Sequence, residues 1–321
     1  MAILRAIFAA TAVELAVLGA ACGLLGLAGS RSGWLDLFAQ LAPLWLLVSL
    51  VAAIFAWPAL AGFGGRAPVL ILALVGVVSS AALIAPELLR PLPPWRGPPP
   101  PRALTFLTYN LWSQNFGPSA TIHQILAQGA DVVALQEMRG FGYSRLKPLE
   151  AAYPFQSERP SSIDEGLYSK RPWITSGFSA GVSWGVTTAP DGLPVMIATT
   201  HLGWPIPTVG EQKQRASLTR ELAGLQRPDL IFAGDFNLAP WSWALRRLDA
   251  ALQPLTRRER AIYSWPANIA LLNRPAPLAI LPIDHVYAGP AWRTVQIERL
   301  ARSGSDHYGL RIVLTREPAS R

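Results

Sequence analysis

The 321-residue chain is unusually apolar: 51% of its residues are hydrophobic and 15% are charged, whereas soluble domains average about 25% charged residues. This composition excludes an intrinsically disordered chain, and the formal net charge of +8 favours anionic partners without specifying one. The charges are also unevenly distributed. Residues 1–103 contain six Arg, no Lys and three acidic residues, whereas residues 104–321 contain the other 22 basic and 17 acidic residues. The sequence therefore combines a membrane-like region with a globular one.

The first 90 residues contain three apolar segments that are each long enough to cross a bilayer as a helix. Asp36 and Arg66 enclose 29 uncharged residues, and Arg66 and Glu87 enclose another 20. A third apolar run, nearer the N-terminus, is interrupted only by Glu14. We therefore predict a transmembrane region over residues 1–90, with helices near residues 7–28, 38–60 and 67–88.

Cleavage and orientation of this region are harder to infer from the sequence. A signal peptide cleaved near Cys22 is the alternative to the first helix, but the apolar run continues beyond Cys22, which argues against cleavage. Basic flanks do not decide the orientation, because one side carries two Arg and the terminal amine and the other carries four Arg. Cys22 is the only cysteine, so the globular region contains no thiols, which suits an oxidising compartment.

A proline-rich linker is predicted over residues 91–103, because seven of the eleven residues from 91 to 101 are proline. Proline has a fixed φ and no amide proton, so this stretch should form a stiff polyproline II spacer that holds the next domain just off the membrane. We predict one domain over residues 104–315, followed by a tail over residues 316–321. Its length can bury a substantial core.

Short apolar runs alternate with helical patterning along this domain. The predicted strands are Leu104–Tyr109, Val132–Gln136, Val195–Thr200, Leu230–Ala233, Pro282–Tyr287 and Leu310–Leu314, and the predicted helices are Ala120–Gln128, Glu211–Leu225 and Ser242–Ala251. This alternation is typical of an α/β fold or a layered β-sandwich with helices outside.

Polar residues stand at one end of each predicted strand. They are Asn110, Glu137, His201, Asp235 with Asn237, Asp284, and Asp306 with His307. Taken singly, a carboxylate or amide after a strand is usually a turn or capping residue. Three of the four histidines of the chain, however, lie in or directly beside these clusters, namely His201, His285 and His307, and this joint pattern indicates a functional site.

The side chains in these clusters are suited to metal-assisted chemistry on phosphate. Glu137, Asp306 and Asn110 offer hard oxygen ligands, which Mg²⁺ and Mn²⁺ prefer, whereas zinc is less suitable in a domain without thiols. Histidines and further aspartates remain for proton transfer and orientation. The residues therefore favour hydrolysis of a phosphate ester.

The same residues, in the same order, resemble the endonuclease/exonuclease/phosphatase (DNase I-like) superfamily. The matching pieces are Thr108-Tyr109-Asn110, Leu135-Gln136-Glu137, Thr200-His201-Leu202, Gly234-Asp235-Phe236-Asn237, Ile283-Asp284-His285 and Ser305-Asp306-His307. They cover nearly all of residues 104–315. The resemblance implies a four-layer α/β/β/α sandwich whose strand-end loops form one cleft.

The resemblance also implies a metal site. Glu137 would be the principal Mg²⁺ ligand, with Asn110 and Asp306 nearby as direct or water-mediated ligands; Mn²⁺ would also fit. One departure concerns the family's Gly-hydrophobic-Ser-Arg strand, which only residues 165–172 approximate here. That departure leaves the polar cleft residue that many members carry there unassigned.

Catalytic roles follow from the same resemblance. Asp235 would orient or deprotonate the attacking water, and Asn237 would hold a phosphate oxygen. His307 would contact the phosphate in the transition state, with Asp284 fixing its ring. His201 would bind phosphate or protonate the leaving oxygen. By strand alternation, the histidine that follows Asp284 should point away from the cleft.

The substrate is the least determined feature. The net charge of residues 104–321 is +5 (22 basic minus 17 acidic residues), which does not single out nucleic acid. Apolar and aromatic residues follow the predicted site residues on the cleft loops, where they would either pack in the core or suit an acyl or prenyl chain: Trp112, Phe116, Trp204, Ile206, Trp241 and Trp243.

A tether to the bilayer favours a lipid-borne substrate. The first hypothesis is therefore a membrane-anchored Mg²⁺-dependent hydrolase of a phospholipid or polyprenyl pyrophosphate. The alternatives are a membrane-tethered DNA endonuclease or exonuclease and, third, an inactive scaffold. The layout resembles bacterial membrane members of the superfamily that are associated with undecaprenyl pyrophosphate and glycopeptide resistance. That likeness implies the bacterial inner membrane, with the catalytic domain on the outer, periplasmic face.

Overall fold

The structure is a computed structural model that describes residues 2–60, 65–92, 94–158, 164–206, 208–225, 227–272 and 274–316. One linker residue, Pro93, and residues 317–321 of the predicted tail lie outside the described residues. The chain forms two units. Unit 1 comprises Met1–Arg90 and Leu238–Arg247, and unit 2 comprises Pro91–Asn237 and Leu248–Arg321. A short piece of the predicted catalytic region thus belongs by its contacts to the helical unit.

Unit 1 is built on four helices: α1 Ala2–Leu27, α2 Gly33–Gln40, α3 Ala42–Ala59 and α4 Arg66–Leu89. Among the described residues, three segments are long and apolar enough to cross a membrane, namely Ile3–Ser30, Ala42–Ala59 and Arg66–Leu89. The connection between the first two folds into α2. Residue 41 leaves the helical conformation, and α3 begins with a proline in its first turn, a position where the missing amide proton costs nothing.

Small side chains fill the interior of this helical unit, and large apolar ones face outward. Alanines at positions 12, 16, 52, 56 and 73 are fully buried. Leu47, Ile54, Ile71, Leu74 and Val78, in contrast, are exposed. Small residues at the contacts let helices approach closely without help from the hydrophobic effect, which is the packing expected for helices in lipid.

Unit 2 contains most of the remaining secondary structure. Its elements in chain order are β1 Leu104–Asn110, α5 Pro118–Ala127, β2 Val132–Gln136, α6 Met138–Phe141, α7 Lys147–Ala152, β3 Phe155–Gln156, β4 Gly166–Ser169, β5 Trp173–Ser179, β6 Val182–Thr188, β7 Pro194–His201, α8 Thr208–Leu225, β8 Ile231–Asp235, α9 Trp243–Ala251, β9 Thr256–Arg257, β10 Asn268–Ile269, β11 Arg274–Pro275, β12 Asp284–Ala288, β13 Trp292–Arg299 and β14 Leu310–Arg316. Helix α9 begins in unit 1 and ends in unit 2.

Two six-stranded sheets form the centre of unit 2. One has the strand order β13-β14-β1-β2-β4-β3 and the other β5-β6-β7-β8-β12-β9, while β10 and β11 form a separate hairpin. Side chains from both sheets share one core, including Phe106, Ile197 and Ile312. The opposite face of the first sheet packs on helices through a second cluster that includes Leu107 and Ile125. This is the predicted α/β/β/α sandwich, so the expected fold class is confirmed.

Strand direction brings the polar ends of six strands to one edge of this sandwich. β1 and β2 are parallel, as are β7 and β8, so the carboxyl ends of each pair coincide. β12 runs antiparallel to β8 and β14 antiparallel to β1, so the residues that precede or begin these strands lie at the same ends. Asp284 is accordingly paired with Asp235 across two strands.

Several strands absent from the sequence-based assignment lie at sheet edges, namely β3, β5, β9 and β13, whereas β4 and β6 lie inside the sheets. β5 and β6 form an antiparallel pair, and β13 pairs only with β14. β5 and β13 are largely half-buried or exposed, and their sequences mix serine, threonine and charged residues with apolar ones. Such strands lack the continuous apolar run that marked the central ones.

Candidate active site

Asn110 connects the two sheets at the edge where the strand ends meet. Its Nδ2 donates hydrogen bonds to Glu137 Oε1 and to Asp235 Oδ2, each at 3.0 Å. Its Oδ1 accepts the backbone N–H of Trp112 at 2.9 Å. The amide is fully buried; its Nδ2 holds the two carboxylates, and its Oδ1 is fixed by the backbone.

Glu137 follows β2 in a left-handed backbone conformation, with φ of 56°. This conformation is unfavourable for a residue with a long side chain, and such strain is concentrated at functional sites. Glu137 Oε2 accepts the backbone N–H of Ser113 at 3.0 Å. The side chain remains partly accessible, with 22% exposed, so it can meet a ligand from solvent.

Asp235 is the centre of the cluster. Its Oδ2 lies 3.5 Å from Nε2 of His201 and 3.5 Å from Nε2 of His307. Its Oδ1 accepts the backbone N–H of Asn237 at 2.9 Å. Burial raises the pKa of Asp235, while the two histidines oppose that rise. A carboxylate whose basicity is raised in this way is suited to accept a proton.

His307 is held by a carboxylate at its other ring nitrogen. Asp284 Oδ2 lies 2.8 Å from His307 Nδ1, and both side chains are buried. Burial alone would lower the pKa of His307, but the negative charges of Asp284 and Asp235 outweigh it and raise the pKa to about 10. His307 is therefore an imidazolium at neutral pH and can donate a hydrogen bond from Nε2.

His201 is positioned through its backbone and the loop that follows it. Gln214 Nε2 donates to the His201 carbonyl at 3.0 Å, and Gln214 Oε1 accepts the N–H of Gly203 at 2.8 Å. Burial raises the pKa of Glu165, and the charge of His201 opposes this rise, so the two side chains interact electrostatically. Glu165 thus lies within electrostatic range of His201.

Asp306 is the remaining acidic residue of the site. Its Oδ2 accepts the indole N–H of Trp265 at 3.0 Å. Within the part of the chain that the structure describes, its buried Oδ1 has no hydrogen-bond partner. Burial raises the pKa of Asp306 to about 6, and the neighbouring charges of Glu137 and Asp235 add to the rise against opposition from His307.

The side chains of Glu137 and Asp306 are suited to bind a cation. A divalent ion would relieve the repulsion between the carboxylates and would engage the buried oxygen that lacks a partner. Asp235, Asp284 and His307 also present donor atoms within 4.8 Å of one another. In that group, however, the 2.8 Å Asp284–His307 hydrogen bond and the raised pKa of His307 favour a proton-holding pair over a metal ligand.

Asn237 ends the Gly-Asp-Phe-Asn stretch in a left-handed conformation, with φ of 52°. Its Nδ2 donates to the carbonyl of Leu202 at 2.7 Å and lies 3.4 Å from Asp235 Oδ2. Gly234 allows β7 and β8 to meet here, because a Cβ at this position would lie 2.0 Å from the Thr200 carbonyl oxygen.

The eight predicted site residues lie together at this edge, linked by the contacts above or, for Asp306, by its charge interactions. His285 lies on the other face of β12, fully buried, with Nδ1 2.8 Å from Glu259 Oε1. Trp265 and Ser113 were missed by sequence reasoning because a tryptophan or a serine amide in a loop carries no chemical signature. Residues 165–172 were recognised as an approximate match to a family strand, and their first residue, Glu165, is the one that interacts electrostatically with His201.

The apolar loop residues divide between core and surface. Trp112 and Trp241 are buried, whereas Phe116, Trp204 and Ile206 are exposed. Trp204 packs edge-to-face on Trp265, the indole that donates to Asp306, with 5.4 Å between ring centroids. An exposed aromatic group therefore stands directly beside the site.

The chain belongs to the Endonuclease/Exonuclease/phosphatase family, whose model matches residues 107–307 and thus includes every predicted site residue. Members of this family hydrolyse phosphoester bonds. No protein of curated function matches the chain significantly.

Solved structures share the fold of this chain at low sequence identity. An endonuclease/exonuclease/phosphatase from Beutenbergia cavernae matches with a TM-score of 0.54 and 18% identity over 68% of this chain and 72% of its own. TDP2 from D. rerio, complexed with a single-strand DNA product, matches with a TM-score of 0.50 and 18% identity over 66% of this chain and 99% of its own. A beta toxin from Staphylococcus aureus with bound magnesium ions matches with a TM-score of 0.50 and 16% identity over 65% and 99%.

Proposed function

We propose that this protein is a membrane-anchored, Mg²⁺-dependent phosphoric ester hydrolase that acts on a lipid-linked phosphate, either a phospholipid or a polyprenyl pyrophosphate. One observation carries the hydrolytic part of the proposal. The buried Asp235 carboxylate lies 3.5 Å from two histidine Nε2 atoms and 3.0 Å from the Asn110 amide. A base, a cationic acid and phosphate-binding groups thus meet at one point.

Asp235 is the group proposed to receive the proton of the attacking water, because burial raises its pKa. His307, held as an imidazolium by Asp284, would donate from Nε2 to a phosphate oxygen as negative charge develops there. His201, whose Nε2 also lies 3.5 Å from Asp235 Oδ2, would bind phosphate or protonate the leaving oxygen. Asn237 would hold a phosphate oxygen.

Glu137, Asp306 and Asn110 are the residues proposed to hold Mg²⁺, directly or through water. The unpartnered Asp306 Oδ1 and the partly exposed Glu137 support this assignment, and a magnesium-bound neighbour of the same fold is consistent with it. When bound, the ion would neutralise negative charge on the phosphate and on the leaving group. Mn²⁺ has the same ligand preferences and would also serve.

Two features support a lipid-linked substrate. Three helices of unit 1 are long and apolar enough to cross a membrane, and attachment to a bilayer raises the effective concentration of lipid-borne substrates. Trp204 and Ile206, shortly after His201, are 56% and 58% exposed. Such side chains suit an acyl or prenyl chain. We further propose that the membrane is a bacterial inner membrane and that residues 104–315 face its outer side.

A membrane-tethered nuclease is the second candidate. Residues 104–321 carry a net charge of +5, which attracts polyanions, and the TDP2 neighbour was solved with single-strand DNA. An inactive scaffold is disfavoured, because binding alone would not require a strained Glu137 together with a buried Asp284–His307 pair.

The test uses the full-length chain purified in detergent micelles with Mg²⁺. Phosphate release from undecaprenyl pyrophosphate and from phospholipids is measured beside nicking of supercoiled plasmid. We expect lipid phosphate release, and Glu137→Gln should reduce it at least about 10²-fold. Glu298→Gln, which changes a half-exposed carboxylate on β13, is the control and should retain activity. Efficient nicking without lipid phosphate release would overturn the proposal in favour of the nuclease.

A further inference from the structure

We infer that Asp36 and Gln40 of unit 1 are positioning residues for the active site: they hold the chain segment that begins one residue after Asn237. This docked segment is Leu238–Arg247, which belongs by its contacts to unit 1 although unit 2 flanks it in sequence. The inference rests on the proposed hydrolytic function of the site. It gives Asp36 and Gln40 a role at the site through the chain that continues from Asn237.

Asp36 caps helix α9 from a distant part of the sequence. It is 3% exposed, and its two carboxylate oxygens accept the backbone N–H groups of Trp243 and Ala244, each at 2.7 Å. Ser242 Oγ accepts the next N–H, that of Leu245, at 3.1 Å. The free N–H groups of the first turn are thereby satisfied, and a negative charge stands at the positive end of the helix. Without Asp36, the buried N–H of Ala244 and the partly buried N–H of Trp243 would lose their acceptors.

Gln40, one turn further along α2, holds the part of the docked segment that precedes α9. Its Oε1 accepts the N–H of Ala239, and its backbone carbonyl accepts the indole N–H of Trp241, each at 2.7 Å. Trp241 is among the largest fully buried side chains of the described residues. The docked segment is therefore held by the carboxylate of Asp36, by hydrogen bonds to Gln40 and by the buried ring of Trp241.

Other parts of unit 1 also bind the docked segment. Trp243 donates its indole N–H to the Gly26 carbonyl at 3.0 Å, and Arg246 donates to the Leu83 carbonyl on α4. A Cβ at Gly29 would lie 2.8 Å from Trp243 Cδ1, so the close approach of this ring depends on glycine. Contacts from α1, α2 and α4 thus converge on ten residues.

Asn237 connects the docked segment to the proposed catalytic residues. Its backbone N–H binds Asp235 Oδ1 at 2.9 Å and its Nδ2 binds the Leu202 carbonyl at 2.7 Å. Its left-handed backbone conformation is less favourable than an extended or helical one, so it depends on the chain on either side being held in place. The peptide bond between Asn237 and Leu238 supplies that constraint, because Leu238 is the first residue of the docked segment.

The far end of the segment is also tied down. α9 continues into unit 2, where Asp249 accepts hydrogen bonds from Arg257 at 2.9 Å and from Tyr287 at 2.7 Å. Tyr287 lies on β12, the strand that begins with Asp284. Release of the N-terminus of α9 would therefore leave Asn237 without a fixed continuation and would loosen the helix packed near this strand.

The test uses the full-length chain in detergent micelles with Mg²⁺ and a soluble chromogenic diester, bis(p-nitrophenyl) phosphate, so that access to lipid plays no part. Asp36→Ala should lower kcat by about 10²-fold, the effect of a displacement near 1 Å in a catalytic group, while KM stays within about twofold. Asp36→Asn, which keeps one acceptor oxygen, should have an intermediate kcat. Gln40→Ala is a second, milder variant for the case in which Asp36→Ala does not fold.

Trypsin cleavage between Arg246 and Arg247, followed by mass spectrometry, reports on docking without any substrate. Asp36→Ala should accelerate this cleavage at least about tenfold, because two hydrogen bonds to a charged group are lost. The control is Asp131→Asn, which changes a carboxylate that accepts the Thr105 N–H at 2.9 Å within unit 2; it should change neither readout.

Unchanged cleavage in Asp36→Ala and Gln40→Ala would overturn the inference whatever the activity. Faster cleavage with wild-type kcat would also overturn it, since the residues would then be structural only. If the chain hydrolysed no phosphate ester at all, the proposed function would fail, while the cleavage rate would still decide whether Asp36 holds the segment.

Discussion

Asp284 Oδ2 lies 2.8 Å from His307 Nδ1, and this buried pair determines the charge of the histidine that faces Asp235. The two residues come from the start of β12 and from the loop before β14, which belong to different sheets. The hydrogen bond therefore joins the two halves of the sandwich at the active-site edge. It also leaves Nε2 of the ring 3.5 Å from Asp235 Oδ2.

Removal of the Asp284 charge should change both the rate and its pH dependence. In Asp284→Asn the pKa of His307 should fall from about 10 towards its ordinary 6.5. The imidazolium form, which wild type keeps until the pH rises towards 10, would then be lost as the pH rises through the neutral range. We expect kcat at pH 8 to fall at least about 10²-fold. A kcat profile from pH 5 to 10 measures this, and superimposable profiles of the variant and wild type would refute it. The control is Asp191→Asn, which changes a carboxylate that pairs with Arg316 at 2.8 Å and has no proposed role at the site.

Glu137 and Asp306 should determine Mg²⁺ binding. A bound ion stabilises the folded chain by mass action, by about 2.7 kcal/mol at one hundred times Kd. Mg²⁺ should therefore raise the Tm of wild type, and Glu137→Gln and Asp306→Asn should reduce or abolish that rise. Since burial raises the pKa of Asp306 to about 6, protons should compete with the ion below about pH 6. Equal Mg²⁺-induced shifts in Tm for the variants and wild type would contradict the assignment.

The buried charges behind the site should make stability depend on acid pH. Burial raises the pKa of Glu259, but the hydrogen bond and charge of His285 and the charge of Arg257 outweigh it and lower the pKa from 4.5 to about 2. Because the folded-state pKa is depressed, Glu259 stabilises the fold above pH 4.5, and this contribution is lost as the pH falls towards 2.

Glu259→Gln should accordingly lower the free energy of unfolding at pH 7 by about 3–5 kcal/mol, since it removes the carboxylate that the buried side chains of Arg257 and His285 contact. The control Glu298→Gln removes a partly exposed ion pair with Arg311 and should cost about 0–1 kcal/mol. Thermal unfolding in micelles between pH 3 and 8 measures both. A Glu259→Gln chain as stable as wild type at pH 7 would show that the network is not stabilising.

The exposed apolar residues beside the site should matter only for lipid substrates. Trp204→Ala and Ile206→Ser should raise KM for polyprenyl pyrophosphate in vesicles by about tenfold, the effect of losing roughly one buried side chain from the contact. Neither should change kcat on bis(p-nitrophenyl) phosphate by more than about twofold, because neither carries a proposed catalytic role. Ile174→Ser, an equally exposed apolar residue on β5, is the matched control. Equal effects on both substrates would argue against a lipid-binding role.

Much of the fold and of the site could be predicted because their signals are local. A buried strand is a short apolar run, and the residue that ends it is adjacent in sequence. Asn110 and Glu137 were therefore recognisable without coordinates, as was the order of the motifs. Edge strands such as β13 were not, because half-exposed strands carry a mixed pattern.

The sequence by itself determined the division into apolar helices and a globular region. It also specified the polar residues at the strand ends, which the pairing of the strands brings to one edge. Only the tertiary structure decided which distant groups complete that edge. Trp265 binds Asp306 across 41 residues, and Asp36 caps α9 across 207. No periodicity or motif encodes such pairs, because each depends on the packing of whole elements and on the burial that makes an unpaired N–H or carboxylate costly.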